Sequence, residues 1–141
     1  MTICVDANIV IRYVVEPGDS ARQSLMRGWL DSGVNLIAPT LLRYEVTNAL
    51  RGYVHAGLRT SPAVDAVLRA ALALPIDLVS DDALHFAALE MAERVGIGSA
   101  YDAHYLALSE RMGAEFWTSD RMLVSALGGR FPWVRLSAIS D

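Results

Sequence analysis

The stretch Thr2-Ile3-Cys4-Val5-Asp6-Ala7-Asn8 decides the fold. A short apolar run, rich in β-branched residues, ends at an acid, and helix-compatible sequence follows at once. Continuous apolarity of this kind marks a strand buried on both faces, as in a parallel sheet covered by helices. Phe116-Trp117-Thr118 followed by Ser119-Asp120 repeats the arrangement near the other end of the chain. Both strands lead into a carboxylate at their carboxyl edge, where ligand crevices of open α/β sheets form.

The segments between them alternate strand with helix. Asn8 to Val15 reads as a short helix stopped by Pro17-Gly18, and Asp19 or Ser20 caps a second helix to about Asp31, ended by Gly33. Asn35 to Ala38 is a strand, and Pro39-Thr40 opens a helix to about Ala56. Ser61-Pro62 starts another, with Pro at the first helical position. Ile76 to Val79 is a strand, Ser80-Asp81-Asp82 caps a helix to Val95, and Ser99 caps one through Met112. Ala114 to Thr118 is the fourth strand, Arg121 to Leu127 a short helix, and Trp133 to Leu136 a fifth strand. Strand–helix alternation with right-handed crossovers gives an α/β fold, a three-layer α/β/α sandwich around a mostly parallel sheet of four to five strands.

The 141 residues fit a single domain over 1–141, since domains run to roughly 100–200 residues. No repeat or low-complexity linker divides them. Hydrophobic residues make up 53%, above the usual ~45–50%, an excess assigned to buried strands and a subunit interface. No apolar run approaches the ~18 residues of a membrane span, and the first residues reach a charge without a basic leader, so a cytoplasmic location is expected. Cys4 stands alone, inside the first strand, and reads as a small buried hydrophobe. The net charge of −4 argues against broad, non-specific nucleic-acid binding. A nuclease remains open, because a metal site is itself acidic. All twelve basic residues are Arg, which suits bidentate phosphate contacts, although a GC-rich coding bias explains it equally.

Four acids are candidates for one site: Asp6, Glu45, Asp102 and Asp120. Each also has a plain structural role open to it. Asp6 and Asp120 could be N-caps, and Ser99-Ala100-Tyr101-Asp102 fits a capping box. Glu45 lies on the margin of the apolar arc Leu42, Val46, Ala49, Leu50 and Tyr53, where it needs a partner, an Arg or a metal. Asn8 either orients Asp6 or caps the first helix. Taken together at one sheet edge, the four would repel one another unless a cation neutralised them, and carboxylate oxygens suit Mg²⁺ or Mn²⁺ over zinc. His55, His85 and His104 show no metal-ligand spacing and are read as structural.

Val5-Asp6-Ala7-Asn8, Leu42-Arg43-Tyr44-Glu45-Val46, Tyr101-Asp102-Ala103 and Thr118-Ser119-Asp120 resemble, in order, the motifs of PIN-domain ribonucleases, above all the VapC-type toxins of toxin–antitoxin pairs. The resemblance spans nearly the whole chain. It implies that Asp6, Glu45, Asp102 and Asp120 bind the metal with Asn8 and Thr118 supporting them. It also implies RNA cleavage with Mg²⁺ or Mn²⁺, a homodimer, and silencing by a cognate antitoxin protein. Met122 is a departure, since some members carry a further acid at that place. Arg12, Arg43 and Arg121, each near an acid in sequence, are the candidates to meet the RNA backbone.

Two other readings stay open at this point. One is a PIN nuclease that processes RNA without an antitoxin. The other is a non-catalytic α/β module that binds metal or a partner; Asp81-Asp82 resembles the acid pair of receiver domains, but follows the third strand, and no Lys exists to complete such a site. No Gly-rich phosphate loop occurs. Trp29, Trp117, Trp133, Tyr53, Tyr101 and Tyr105 supply aromatic surface for the core, a dimer face or an antitoxin clamp.

Overall fold

A computed structural model describes residues 1–137. The elements run β1 (Thr2–Val5), α1 (Ala7–Val15), α2 (Ser20–Asp31), β2 (Asn35–Pro39), α3 (Leu41–His55), α4 (Ser61–Leu72), β3 (Ile76–Val79), α5 (Asp82–Val95), α6 (Ala100–Met112), β4 (Glu115–Thr118), α7 (Arg121–Leu127) and β5 (Val134–Leu136). The five strands form one sheet in the order β3-β2-β1-β4-β5, and every neighbouring pair is parallel. The α/β architecture expected from the alternation is therefore present, with a wholly parallel sheet.

Boundaries depart from the sequence reading by single residues, each for a local reason. Strand β2 extends to Pro39, whose register partner is Val79; the proline offers no N–H, and the next amide, Thr40, donates to Val79 O at 3.2 Å. Helix α3 accordingly opens at Leu41 and ends at His55. Helix α1 starts at Ala7, so Asp6 and not Asn8 holds the cap position. Strand β4 begins at Glu115 because Gly113, at φ 60°, and Ala114 turn the chain out of α6. Strand β5 begins at Val134, one residue after Trp133.

Strand β1 lies at the centre of the sheet with Ile3, Cys4 and Val5 fully buried, the burial its apolar run foretold. Helix α6 packs on β1, β2 and β4, with α5 against it; α1 to α4 pack on one another, touching β2 and β4. Ile3, Leu36, Ile37, Leu106, Leu108 and Phe116 are core side chains under 3% exposed. The chain leaves β1 toward β2 on one side, whereas β4 occupies the other side of β1. Strand order thus reverses between β1 and β4, and their carboxyl ends open a crevice at that point. The Asp6 N–H donates to Trp117 O at 3.0 Å, which fixes the two strand ends against each other. No helix is long and apolar enough to cross a membrane among the described residues.

Candidate active site

The crevice is a cleft of about 300 Å³ walled by Asp6, Glu45, Asp102 and Asp120, with Asn8, Asn48 and the small apolar side chains Ala7, Ile11 and Ala49 between them. All four acids picked from the sequence therefore share one cavity. They arrive from four places: the end of β1, the second turn of α3, the first turn of α6, and the turn between β4 and α7. Arg12, Arg43 and Arg121 are not in its walls. Arg12 instead faces Asp19, at 4.0 Å, and Arg43 and Arg121 are exposed on α3 and α7.

Asp6 is buried and makes no side-chain cap bond to α1, which removes its capping alternative. Its Oδ2 accepts from Thr118 Oγ1 at 2.7 Å and from Asn8 Nδ2 at 3.3 Å. Thr118 Oγ1 in turn accepts from Asn8 Nδ2 at 3.2 Å and from the Asp120 N–H at 3.0 Å. Asn8 Oδ1 takes the Ser119 N–H at 3.0 Å. Asn8 and Thr118 thus hold Asp6 from two elements that are distant in sequence. Asp120 does cap α7, its Oδ1 accepting from the Leu123 N–H at 3.0 Å, while also lining the cleft. At α6, Ser99 Oγ accepts the Asp102 N–H at 3.5 Å, the first half of the capping box, and Asp102 stands in the cleft wall.

Electrostatics binds the acids into one unit. Burial pushes the Asp6 carboxyl up to about 7; the Thr118 hydrogen bond opposes this, and repulsion from Glu45 and Asp102 adds to it. Burial also raises Glu45, against the hydrogen bond from Tyr105, with Asp102 repelling it further. Asp102 is raised by burial and then by Asp120. These carboxylates are held ionised only at a cost, which a hard divalent cation would relieve. In donor chemistry the set fits Mg²⁺ or Mn²⁺. Among the described residues, however, no three His, Cys, Asp or Glu side chains stand together as a ready-made ligand cage. The acids line the cleft and do not close on one point within it.

Two residues with a part in this site escaped the sequence reading. Tyr105, under 2% exposed, donates from its hydroxyl to Glu45 Oε1 at 2.7 Å. Burial, then Asp6 and Glu45, push the Tyr105 phenol up, so it stays a donor. Its signal was the spacing of three from Asp102, which places it one turn along the same helix. Arg22 is completely buried on α2 and donates to Ser119 Oγ at 2.8 Å. Its signal was a charge on the stripe it shares with Met26 and Trp29, both also buried.

The remaining motifs are structural. His85 and His104 do meet in space, Nδ1 to Nε2 at 2.8 Å, although their separation in sequence gave no hint of it. With His104 Nδ1–H donating to Ala100 O, its Nε2 accepts from His85, and the pair clamps α5 to α6 outside the acid cleft. Asp81 caps α5 and takes two bonds from Arg111, at 2.8 and 3.2 Å, which leaves no receiver-like acid pair. Of the aromatics, Trp29 and Tyr105 are core, and Trp117 packs edge-on against Trp29 at 5.5 Å. Tyr101 is exposed, as are Tyr44, Phe86 and Leu89.

The chain is an α/β protein with a parallel sheet and an acidic cleft at its strand-order reversal. The chain belongs to the PIN domain family: residues 3–126 match its family model. PIN domains are generally nucleases and generally use divalent metal ions. Among solved structures, PAE2754 from Pyrobaculum aerophilum is similar at 23% identity and a TM-score of 0.64, over 92% of this chain and 90% of that one. VapBC2 from Rickettsia felis, solved bound to a DNA fragment from their promoter, is similar at 12% identity and a TM-score of 0.68, over 96% and 97%. At these identities the likeness is one of fold. No curated protein matches the sequence.

Proposed function

We propose that this chain is a Mg²⁺- or Mn²⁺-dependent endoribonuclease and the toxin of a toxin–antitoxin pair. The observation that carries the catalytic reading is the shared cleft of Asp6, Glu45, Asp102 and Asp120, in which burial, with repulsion between neighbouring acids adding to it, raises Asp6, Glu45 and Asp102. The four acids would hold the ion. When bound, it polarises a phosphoryl oxygen and eases ionisation of an attacking water near neutral pH. Thr118 and Asn8 keep Asp6 aimed into the cleft, and Tyr105 orients Glu45 so that its second oxygen is left for metal or water. Asp120 is turned by its own capping bond to Leu123. Met122, exposed at the position where some relatives carry a further acid, leaves the four cleft acids as the donor set.

The toxin assignment draws support from the family and from the fold shared with VapBC2, a toxin–antitoxin complex. Tyr44, Phe86, Leu89 and Tyr101, exposed on α3, α5 and α6, would supply apolar surface for a homodimer. The antitoxin would cover the cleft itself. Cleavage of total cellular RNA by purified protein in Mn²⁺ tests the reading. Discrete fragments that vanish with EDTA and in Asp6→Asn and Asp102→Asn are expected. Metal-dependent cleavage that survives in both variants would sink the site assignment.

A further inference from the structure

We infer that Arg22 is a positioning residue of the nuclease site, acting through Ser119 on the turn that carries Asp120 and holds Asp6. The inference rests on the metal-nuclease reading above. Arg22 is among the largest fully buried side chains of the described residues, and its guanidinium is matched by Asp19, itself 5% exposed, at 3.5 Å. A buried ion pair of this kind is a weak source of stability, because desolvation offsets the attraction and apolar side chains of similar volume often do as well. The position lies on a stripe with Met26 and Trp29, where an apolar residue would pack. What such a residue would lack is a directed donor, and Arg22 aims one at Ser119 Oγ, 2.8 Å away.

Ser119 is thereby pinned at both ends of the residue. Arg22 holds its hydroxyl, and Asn8 Oδ1 holds its N–H. On one side Thr118 donates to Asp6; on the other Asp120 begins α7 and enters the cleft. The far end of the chain of contacts is equally firm. Asp19 caps α2 by accepting the Arg22 N–H, and Gln23 Nε2 donates to Tyr13 O at 2.7 Å, tying α2 to α1. Arg22 therefore transfers the position of a helix outside the cleft to the spacing between two cleft acids. Outer partners that orient metal ligands matter to affinity by roughly ten- to a hundred-fold.

The link can be cut from either end. Ser119→Ala removes the acceptor and leaves the ion pair whole. Asp19→Asn combined with Arg22→Met removes the pair as a unit, avoids a stranded charge, and keeps a good N-cap. Mn²⁺ affinity by calorimetry and amide exchange of Ser119 in metal-free protein are the readouts. Each change should weaken Mn²⁺ binding by about ten-fold, and joining them should add no further loss, since both cut one connection. Exchange of the backbone amide at position 119 should quicken in each. Affinities and exchange indistinguishable from wild type, or losses that multiply, would overturn the positioning role. Wild-type protein that takes up no Mn²⁺ would overturn the metal reading instead, and Ser119 exchange unchanged by either cut would overturn the positioning role alone.

Discussion

Asp6→Asn should stabilise the metal-free protein at alkaline pH while destroying its response to metal. Asp6 has an ordinary carboxyl value of 3.8 and is pushed to about 7 in the fold, chiefly by burial. An acid whose native value is raised binds its proton more tightly when folded. Stability therefore falls as pH climbs from the unfolded value to the folded one, and the full cost is present above about 7. The interval from 3.8 to about 7, at about 1.4 kcal/mol per pH unit, amounts to about 4 kcal/mol. Asparagine keeps an oxygen for Thr118 and Asn8 but never ionises, so it escapes that cost. In EDTA at pH 8.5 the variant should melt on the order of 10 °C above wild type, given a few degrees per kcal/mol for a domain of this size. Near pH 4 the two should nearly coincide. Saturating Mn²⁺ should reverse the order, because a ligand that binds only the native state raises stability with its concentration and only wild type keeps the full donor set. Thermal melts across pH 4–9, with EDTA and with Mn²⁺, are the assay. A variant less stable than wild type at pH 8.5 in EDTA, or a wild type whose stability is flat from pH 4 to 8, would refute the burial reasoning.

Tyr105→Phe should cost roughly 1–2 kcal/mol at pH 8, the lower part of the range for a hydrogen bond to a charged group, because half-exposed Glu45 can turn to water. Urea unfolding at pH 8 and pH 4 checks this; the loss should shrink at pH 4, where Glu45, raised by burial, is largely protonated, and equal losses at both would contradict the Tyr105–Glu45 bond. If the protein forms the proposed homodimer, Phe86→Glu with Leu89→Arg should convert it into a monomer by light scattering, leaving the fold intact by circular dichroism; a dimer that persists places the interface elsewhere. Binding of a non-cleaved single-stranded RNA analogue should need Mn²⁺ and show a shallow salt dependence, a slope on the order of −2 if about three phosphates are contacted. A steep slope in EDTA would mean that Arg side chains, and not the filled cleft, supply the affinity.

How much of this was legible in sequence depended on whether the signal was local. Val5-Asp6 and Thr118-Ser119-Asp120 carried theirs in a few adjacent residues, apolar run followed by acid, and parallel pairing does the rest by bringing strand ends to one edge. Asp102 was legible as a helix-start acid, and its cap geometry was half right. Asn8 as a support for Asp6 was readable from a spacing of two. The Thr118–Asp6 bond was not, since it joins residues 112 positions apart and exists only because β1 and β4 are neighbours. The same holds for Ser119–Arg22 and Tyr105–Glu45. Arg12 shows the opposite failure, for proximity in sequence to an acid suggested the cleft, and the turn of α1 sends it to Asp19.

Charge explains why an acidic chain is a reasonable nuclease scaffold. Its net charge of −4 repels a polyanion. Many of its arginines are also committed internally: Arg22 to Asp19, Arg94 to Glu110, Arg111 to Asp81 and Arg135 to Glu115, with Arg130 bonded to backbone carbonyls. Among the described residues, Arg43 and Arg121 have no ion pair. Arg43 lies on α3, the helix that delivers Glu45, and Arg121 opens α7, which Asp120 caps. A phosphate that reached the cleft of an unfilled site would meet four acids and two outlying guanidiniums, a net repulsion. With a divalent ion in place, the negative charge at the centre of the cleft would be partly offset. On the proposed metal-dependent reading, attraction for substrate and competence for chemistry depend on the same ion, so the metal-free molecule should bind RNA poorly as well as fail to cut it.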